Sequence, residues 1–203
     1  MKTAFRYLLF YKPFQVLSQF SVEGDKRTLA DYFSGIAKDV YPVGRLDYDS
    51  EGLLLLTNDK RLTHQLLDPS QAHPRTYWVQ VEGAVTEKAL ERLRSGVTIS
   101  IDGKKHHTLP ALATLVEAEK IREIPERNPP IRYRAAIPTS WISLTLTEGK
   151  NRQVRRMTAA VGFPTLRLIR VAIGDLEIEN MLPGDWREVR PEAIMPTGKK
   201  REK

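Results

Sequence analysis

Residues Gly44–Asp59 read GRLDYDSEGLLLLTND, and the fold class follows from the contrast between the two ends of this stretch. Leu53–Leu56 is the densest apolar run in the chain and far too short to cross a membrane. With Thr57 it reads as a buried strand. Tyr41–Asp47 reads as a second strand, and the polar segment Tyr48–Gly52 between them as a tight turn. Asp47 therefore falls at a strand end, where a rigid scaffold presents reactive groups. A turn rich in Asp, Ser and Gly is also what an ordinary hairpin looks like. A third reading takes Asp47, Asp49, Glu51 and Asp59 as ligands for hard cations. Against it, Asp47 and Asp49 share a face only if the chain is extended, and no histidine lies nearby.

Outward from this stretch, strands are expected over Arg6–Tyr11, Val16–Phe20, Thr76–Glu82, Val97–Ile101, Leu112–Glu117, Trp141–Thr147, Thr165–Val171, Asp175–Glu179 and Asp185–Arg190. Helices are expected over Thr28–Phe33, Lys60–Leu67, Thr86–Arg94 and Asn151–Val161. Thr86 is a good N-cap and Asp102-Gly103 a hairpin turn signal. Glu119–Pro138 is charged and proline-rich and reads as an exposed loop. Many strands with about four short helices indicate an α+β fold built on a mixed, mostly antiparallel central sheet with flanking helices.

The 203 residues carry a net charge of +7 and an apolar fraction of 41%, with a pI near 9.6. That is enough apolar content for a core. The charge suits a polyanionic partner, although a generic basic protein has the same balance. The absence of cysteine excludes disulfides, thiolate metal sites and cysteine nucleophiles. The opening MKTAFRYLLFYKP is broken by Arg6 and Lys12 and reads as a strand rather than a leader; a cytoplasmic protein is expected.

Two further segments carry candidate chemistry. In RTYWVQVEG, Arg75–Gly83, alternation puts Tyr77, Val79 and Val81 on one face. An exposed Tyr77 would stack on a nucleobase; a buried one is simply core. In EGKNRQVRRM, Glu148–Met157, Arg152, Arg155 and Arg156 line one side of a helix and Val154, Met157 and Val161 the other. Three arginines at an already electropositive helix start suggest an anionic partner. His64 is expected on its helix and the His106-His107 pair in a loop, with no catalytic duty.

Together these segments resemble the pseudouridine synthases that act on ribosomal RNA, a family that joins the small-subunit type to types B, E and F of the large subunit. The stretch 44–59 is similar to the signature GRLD-x-x-T-x-GLLLLTNDG, Arg75–Gly83 to the KxYxV strand, Glu148–Met157 to EGRxHQVRRM, and VGFPTLRLIRVAIGDL, Val161–Leu176, to the closing LxRxxIG segment. The resemblance runs over about Tyr7–Arg190. It implies two halves flanking an RNA cleft and no cofactor or metal. It makes Asp47 the catalytic carboxylate, Tyr77 the residue stacked on the target uracil, Arg155 the partner of Asp47, and Leu168 the apolar wall under the base. Arg45 is then placed to touch phosphate or support base extrusion, with Arg152, Arg156 and Lys150 as further RNA contacts. Ser50 replaces the usual Thr, Lys60 the Gly after Asn-Asp, Arg75 a Lys and Arg152 a His. Residues 1–197 are read as one catalytic domain without a preceding S4-type module. Gly198–Lys203 is read as a disordered basic tail, either a solubilising end with no partner or a clamp on RNA phosphates. The expected partner is ribosomal RNA, 23S, and the expected state a monomer without membrane association. A non-catalytic rRNA-binding or ribosome-assembly protein is the alternative.

Overall fold

The computed structural model describes residues 4–131 and 136–194; the tail Gly198–Lys203 lies outside them. In chain order the strands are β1 Tyr7–Lys12, β2 Tyr41–Pro42, β3 Glu51–Thr57, β4 Arg75–Glu82, β5 Thr98–Ile101, β6 Lys104–His107, β7 Leu112–Leu115, β8 Thr139–Leu146, β9 Thr165–Ile173, β10 Leu176–Glu177 and β11 Trp186–Glu188. The α-helices are α1 Lys60–Leu67, α2 Glu87–Ser95, α3 Ala118–Arg122, α4 Gln153–Ala160 and α5 Pro191–Ile194.

Every residue of β3 is buried, because apolar layers cover both of its faces. Leu53 and Leu55 pack with Leu9, Ile169 and Val171, while Leu54 and Leu56 pack with Phe10, Leu29 and Phe33. A strand covered on both sides has no solvent face, so polar alternation disappears from its sequence. β1 is buried throughout for the same reason. In β4 and β8 the alternation survives. Val79, Val81, Ile142 and Leu144 enter a third cluster with α2 and α4, and Trp78 and Trp141 turn to the opposite side.

The main sheet has the order β11-β1-β3-β9-β4-β8-β7, with β2 paired to β3 and β10 to β9. One pairing is parallel, β3 with β9, and its register is Glu51↔Ile169 and Gly52↔Arg170. The remaining pairings are antiparallel. The sheet thus consists of an N-terminal half on β3 and a C-terminal half on β9, joined at a short seam. The contact is close at Gly52, whose φ is +105° and where an added Cβ would meet the Arg170 carbonyl oxygen at 2.2 Å. The hairpin β5–β6 forms a separate two-stranded sheet, turned at Asp102-Gly103 with both φ values positive.

Several expectations change. Val16–Phe20 is not a strand: Val16 makes only an isolated bridge to Arg27, and Ser18 spends its hydroxyl on both backbone groups of Leu46. The helix over Thr28–Phe33 shrinks to one 3₁₀ turn, Leu29–Asp31, closed by a capping box from Thr28 and Asp31. Glu119–Pro138 is not simply an exposed loop. It begins in α3, Ile124 packs beside Trp78 and Trp141, and the Pro125 carbonyl accepts from Arg167 at 2.9 Å. Arg127 lies over the Phe14 ring, 4.1 Å from its centroid.

Lys12 ends β1 with its side chain fully buried. Its Nζ donates to the carbonyls of Pro13 and Val16 at 2.9 and 2.8 Å. Burial pushes the ammonium down to about 7, against the charges of Glu51, Asp49 and Asp47, which favour the protonated form. The folded value lies below the ordinary lysine value. Between the two, the unfolded chain binds the proton and the folded chain does not, so stability rises with pH across that window. The urea midpoint should therefore climb from about pH 7.5 to about pH 9.5, and Lys12→Met should flatten the climb. An equal slope in the two proteins would exclude Lys12 as its source.

Candidate active site

Asp47 does not sit at the end of a strand. Ladder pairing stops at Pro42, and the backbone from Val43 onward is held by other bonds. Val43 N–H donates to the Leu55 carbonyl at 2.7 Å, the Tyr48 carbonyl accepts from Gln15 N–H at 2.9 Å, and Ser50 N–H closes the turn on the Asp47 carbonyl at 3.0 Å. With the Ser18 bonds to Leu46, these fix the loop on both sides of Asp47. The next residue after the turn is Glu51, at the seam. Its carboxylate is buried and forms a two-pronged ion pair with Arg167, at 2.8 and 2.7 Å. That pair joins the base of the Asp47 turn to the other half of the sheet.

The start of α4 faces this turn. Arg152 is its N-cap, in the left-handed conformation with φ +50°, and its guanidinium grips Asp49 with two hydrogen bonds of 3.0 and 2.8 Å. The same Nη1 lies 3.5 Å from Asp47 Oδ2. Arg155 is nearly buried, with 14% of its side chain exposed. It donates to the Asp49 carbonyl at 2.6 Å and lies 3.4 Å from the Asp49 carboxylate. The expected pairing of Arg155 with Asp47 is thus replaced: Arg155 meets Asp49, and Arg152 is the arginine that touches Asp47. The reason is that the turn returns Asp49 toward α4, so its carbonyl and carboxylate reach Arg155 first. Burial acts to raise the Asp49 pKa, but the Arg152 hydrogen bond and the charges of Arg155 and Arg152 outweigh it, and the net shift is downward.

Tyr77 on β4 and Leu168 on β9 line the same cleft as Asp47, a cavity of about 860 Å³ that runs across the seam. Tyr77 is half-buried and packs on the C-terminal core; Leu168 is almost fully buried in it. Opposite Tyr77 in the sheet register is Arg170, buried, with Nε donating to the Leu53 carbonyl at 2.8 Å. Burial pushes its pKa down, while Tyr77 pulls it up. Among the described residues, Ser50 Oγ, Arg155 Nε and Arg170 Nη2 are buried without a hydrogen-bond partner. Unsatisfied donors of this kind are costly and concentrate where a ligand completes the site.

Arg45 and Lys150 are exposed on the cleft wall. Arg156, the other arginine offered as an RNA contact, makes exposed hydrogen bonds within the protein. It donates to the carbonyls of Asn151 and Ser100 and to the Asn151 side chain, which ties α4 to the β5–β6 hairpin. His106 and His107 lie on β6 rather than in a loop. His106 lines the cleft and meets Glu148 at 3.1 Å. The acids that might have formed a cation site are separately engaged: Asp49 by Arg152, Glu51 by Arg167, and Asp59 by its helix cap and the Tyr7 hydroxyl. Sequence reasoning missed the buried Lys12, the Glu51–Arg167 pair and Arg170. For Lys12 and Arg170 a charged residue inside or beside an apolar run was the available signal; Glu51, in a polar turn, offered none.

A family model for RNA pseudouridylate synthases matches residues 6–160. The chain belongs to that family. It is 51% identical over 185 residues to ribosomal large subunit pseudouridine synthase E of Vibrio parahaemolyticus, covering 91% of this chain and 74% of that one. It is 36% identical over 188 residues to ribosomal large subunit pseudouridine synthase B of Bacillus subtilis, covering 93% and 69%. A solved crystal structure of a pseudouridylate synthase superposes with a TM-score of 0.76 at 26% identity, over 94% of this chain and 73% of that one. The family's α+β fold with a mixed, mostly antiparallel sheet is the fold described above.

Proposed function

We propose that this family member isomerises a uridine of large-subunit ribosomal RNA, 23S, to pseudouridine, with Asp47 as the catalytic carboxylate and no cofactor. The observation that carries the reading is the placement of Asp47 in one cleft with Tyr77 and Leu168, with the Arg152 guanidinium 3.5 Å away. The reaction breaks the N1–C1′ glycosidic bond, turns the freed uracil and joins C5 to C1′; C5 loses its proton and N1 gains one, so the product is an isomer. A carboxylate serves this chemistry as nucleophile at C1′ or as the base that assists elimination there. The base must first leave the RNA stack, at a cost of roughly a few kcal/mol. Tyr77 and Leu168 then hold it from two sides, and Arg45 and Lys150 face the flanking phosphates. Relatives named for action on the large ribosomal subunit support the choice of RNA.

The direct test is tritium release from ribosomal RNA labelled at uracil C5. Release is expected at catalytic protein concentrations; retention of the label, with RNA bound, would leave only a binding protein. Tyr77 provides a second test. Stacking is worth roughly 1–3 kcal/mol per base, so Tyr77→Ala should lose about 10- to 100-fold in activity. Tyr77→Phe keeps the ring and should retain stacking. A collapse of the Phe variant with RNA affinity unchanged would give the hydroxyl a part in proton transfer. Full activity in the Ala variant would remove Tyr77 from the site.

A further inference from the structure

We infer that Asp49 is a positioning residue for the reaction: it aims the Arg152 guanidinium at Asp47. The inference rests on the reading of Asp47 as the catalytic carboxylate. Arg152 makes two short bonds to Asp49, at 3.0 and 2.8 Å, and one long one to Asp47, at 3.5 Å. The short pair fixes the plane of the guanidinium, and the long contact is what that plane leaves over for Asp47. A two-pronged arginine–carboxylate pair is the geometry that holds a fork in one orientation.

Three features indicate that the pair serves the site rather than the fold. Arg152 and Asp49 are both more than a third exposed, with side-chain exposures of 41% and 36%, and ion pairs that open to solvent add little to stability. Arg152 also adopts the left-handed conformation and makes no side-chain cap bond to its own helix. A non-glycine residue held there is disfavoured, and such strain collects at functional sites. Finally, the shortest bond that docks α4 here does not use the Asp49 side chain. Arg155 is anchored on the Asp49 main-chain carbonyl at 2.6 Å, a bond that survives any substitution at 49. Beyond a longer contact with Arg155 at 3.4 Å, what the carboxylate adds is the orientation of Arg152. A cation fixed beside Asp47 holds that carboxylate pointed at the ribose, and the arginine charges that lower the pKa of Asp49 favour the ionised anchor.

The test measures single-turnover tritium release at saturating RNA, with RNA affinity and thermal midpoint followed in parallel. Asp49→Asn keeps the size of the side chain and should slow release by roughly 10- to 100-fold, the range for losing a charged hydrogen-bonding partner. RNA affinity and midpoint should hold. Arg152→Ala should slow release similarly, and the double variant should be no slower than the slower single one. Free guanidinium ion at tens of millimolar should restore part of the rate to Arg152→Ala but not to the double variant, which lacks the anchor. The inference is overturned if Asp49→Asn turns over at the wild-type rate, if the two losses multiply, or if guanidinium restores both proteins equally. Should Asp49→Asn fail to fold, Arg152→Ala decides alone, and a wild-type rate there overturns it. Asp47→Asn in the same assay separates the two levels. Activity in that variant removes the reading of Asp47, whereas an inactive Asp47→Asn with unaffected Asp49→Asn removes only the positioning role.

Discussion

Asp47→Asn should fold, bind RNA and lose tritium release by about 10,000-fold or more, the scale of loss when a group essential to bond-making is disabled. The substitution keeps the shape of the side chain. It leaves untouched the main-chain bond from Ser50 to the Asp47 carbonyl and the Ser18 bonds to Leu46. The turn should therefore persist. What disappears is the negative charge, and with it both roles open to the carboxylate, attack at C1′ and assistance to elimination. RNA affinity should stay level or improve slightly, because one like charge is removed from a site that faces phosphates. The decisive comparison is single-turnover release at saturating RNA, in wild type and variant of equal thermal midpoint. A rate within about tenfold of wild type would exclude Asp47 as the catalytic group.

Gly52→Ala should cost the fold more than about 4 kcal/mol, enough to unfold a marginal domain. The new Cβ would stand 2.2 Å from the Arg170 carbonyl oxygen and 2.6 Å from its nitrogen. Both are main-chain atoms of the paired strand, so no side chain can move aside. The positive φ of +105° adds strain that only glycine escapes. Relief requires the parallel contact to open, which exposes the Glu51–Arg167 pair and releases the base of the Asp47 turn. A urea midpoint close to that of wild type would contradict the tight seam. If the variant folds at all, its activity should fall further than its stability accounts for.

The parts of this architecture that were legible in sequence are those governed by local rules. The helix over Lys60–Leu67 was legible through its leucine spacing and the stop at Asp68-Pro69, and the start of α2 through the Thr86 cap. The apolar side of α4, Val154, Met157 and Val161, was read correctly because it follows helical spacing. Non-local pairing was not legible. Nothing in Glu51 and Gly52 announces a parallel contact with Ile169 and Arg170, and nothing in Glu51 distinguishes a turn acid from one half of a buried ion pair. The strand expected over Tyr41–Asp47 failed because Ser18, remote in sequence, takes both backbone groups of Leu46 that a ladder would have used. At the site, the resemblance brought Asp47, Tyr77 and Leu168 into one cleft. The choice between Asp47 and Asp49 as partner of Arg155 depends on how the turn returns, which two aspartates two residues apart do not encode.

The parallel pairing of Glu51 and Gly52 with β9 has a mechanical consequence. The backbone bridge between the halves is short and lies immediately after the Asp47 turn, so for any rocking of one half against the other it acts as the axle. Points on an axle hardly travel, while points far from it sweep the widest arcs. Residues out on the cleft walls, Arg45 on the N-terminal half and Lys150 on the C-terminal half, are carried on lever arms, whereas Asp47 rides close to the pivot.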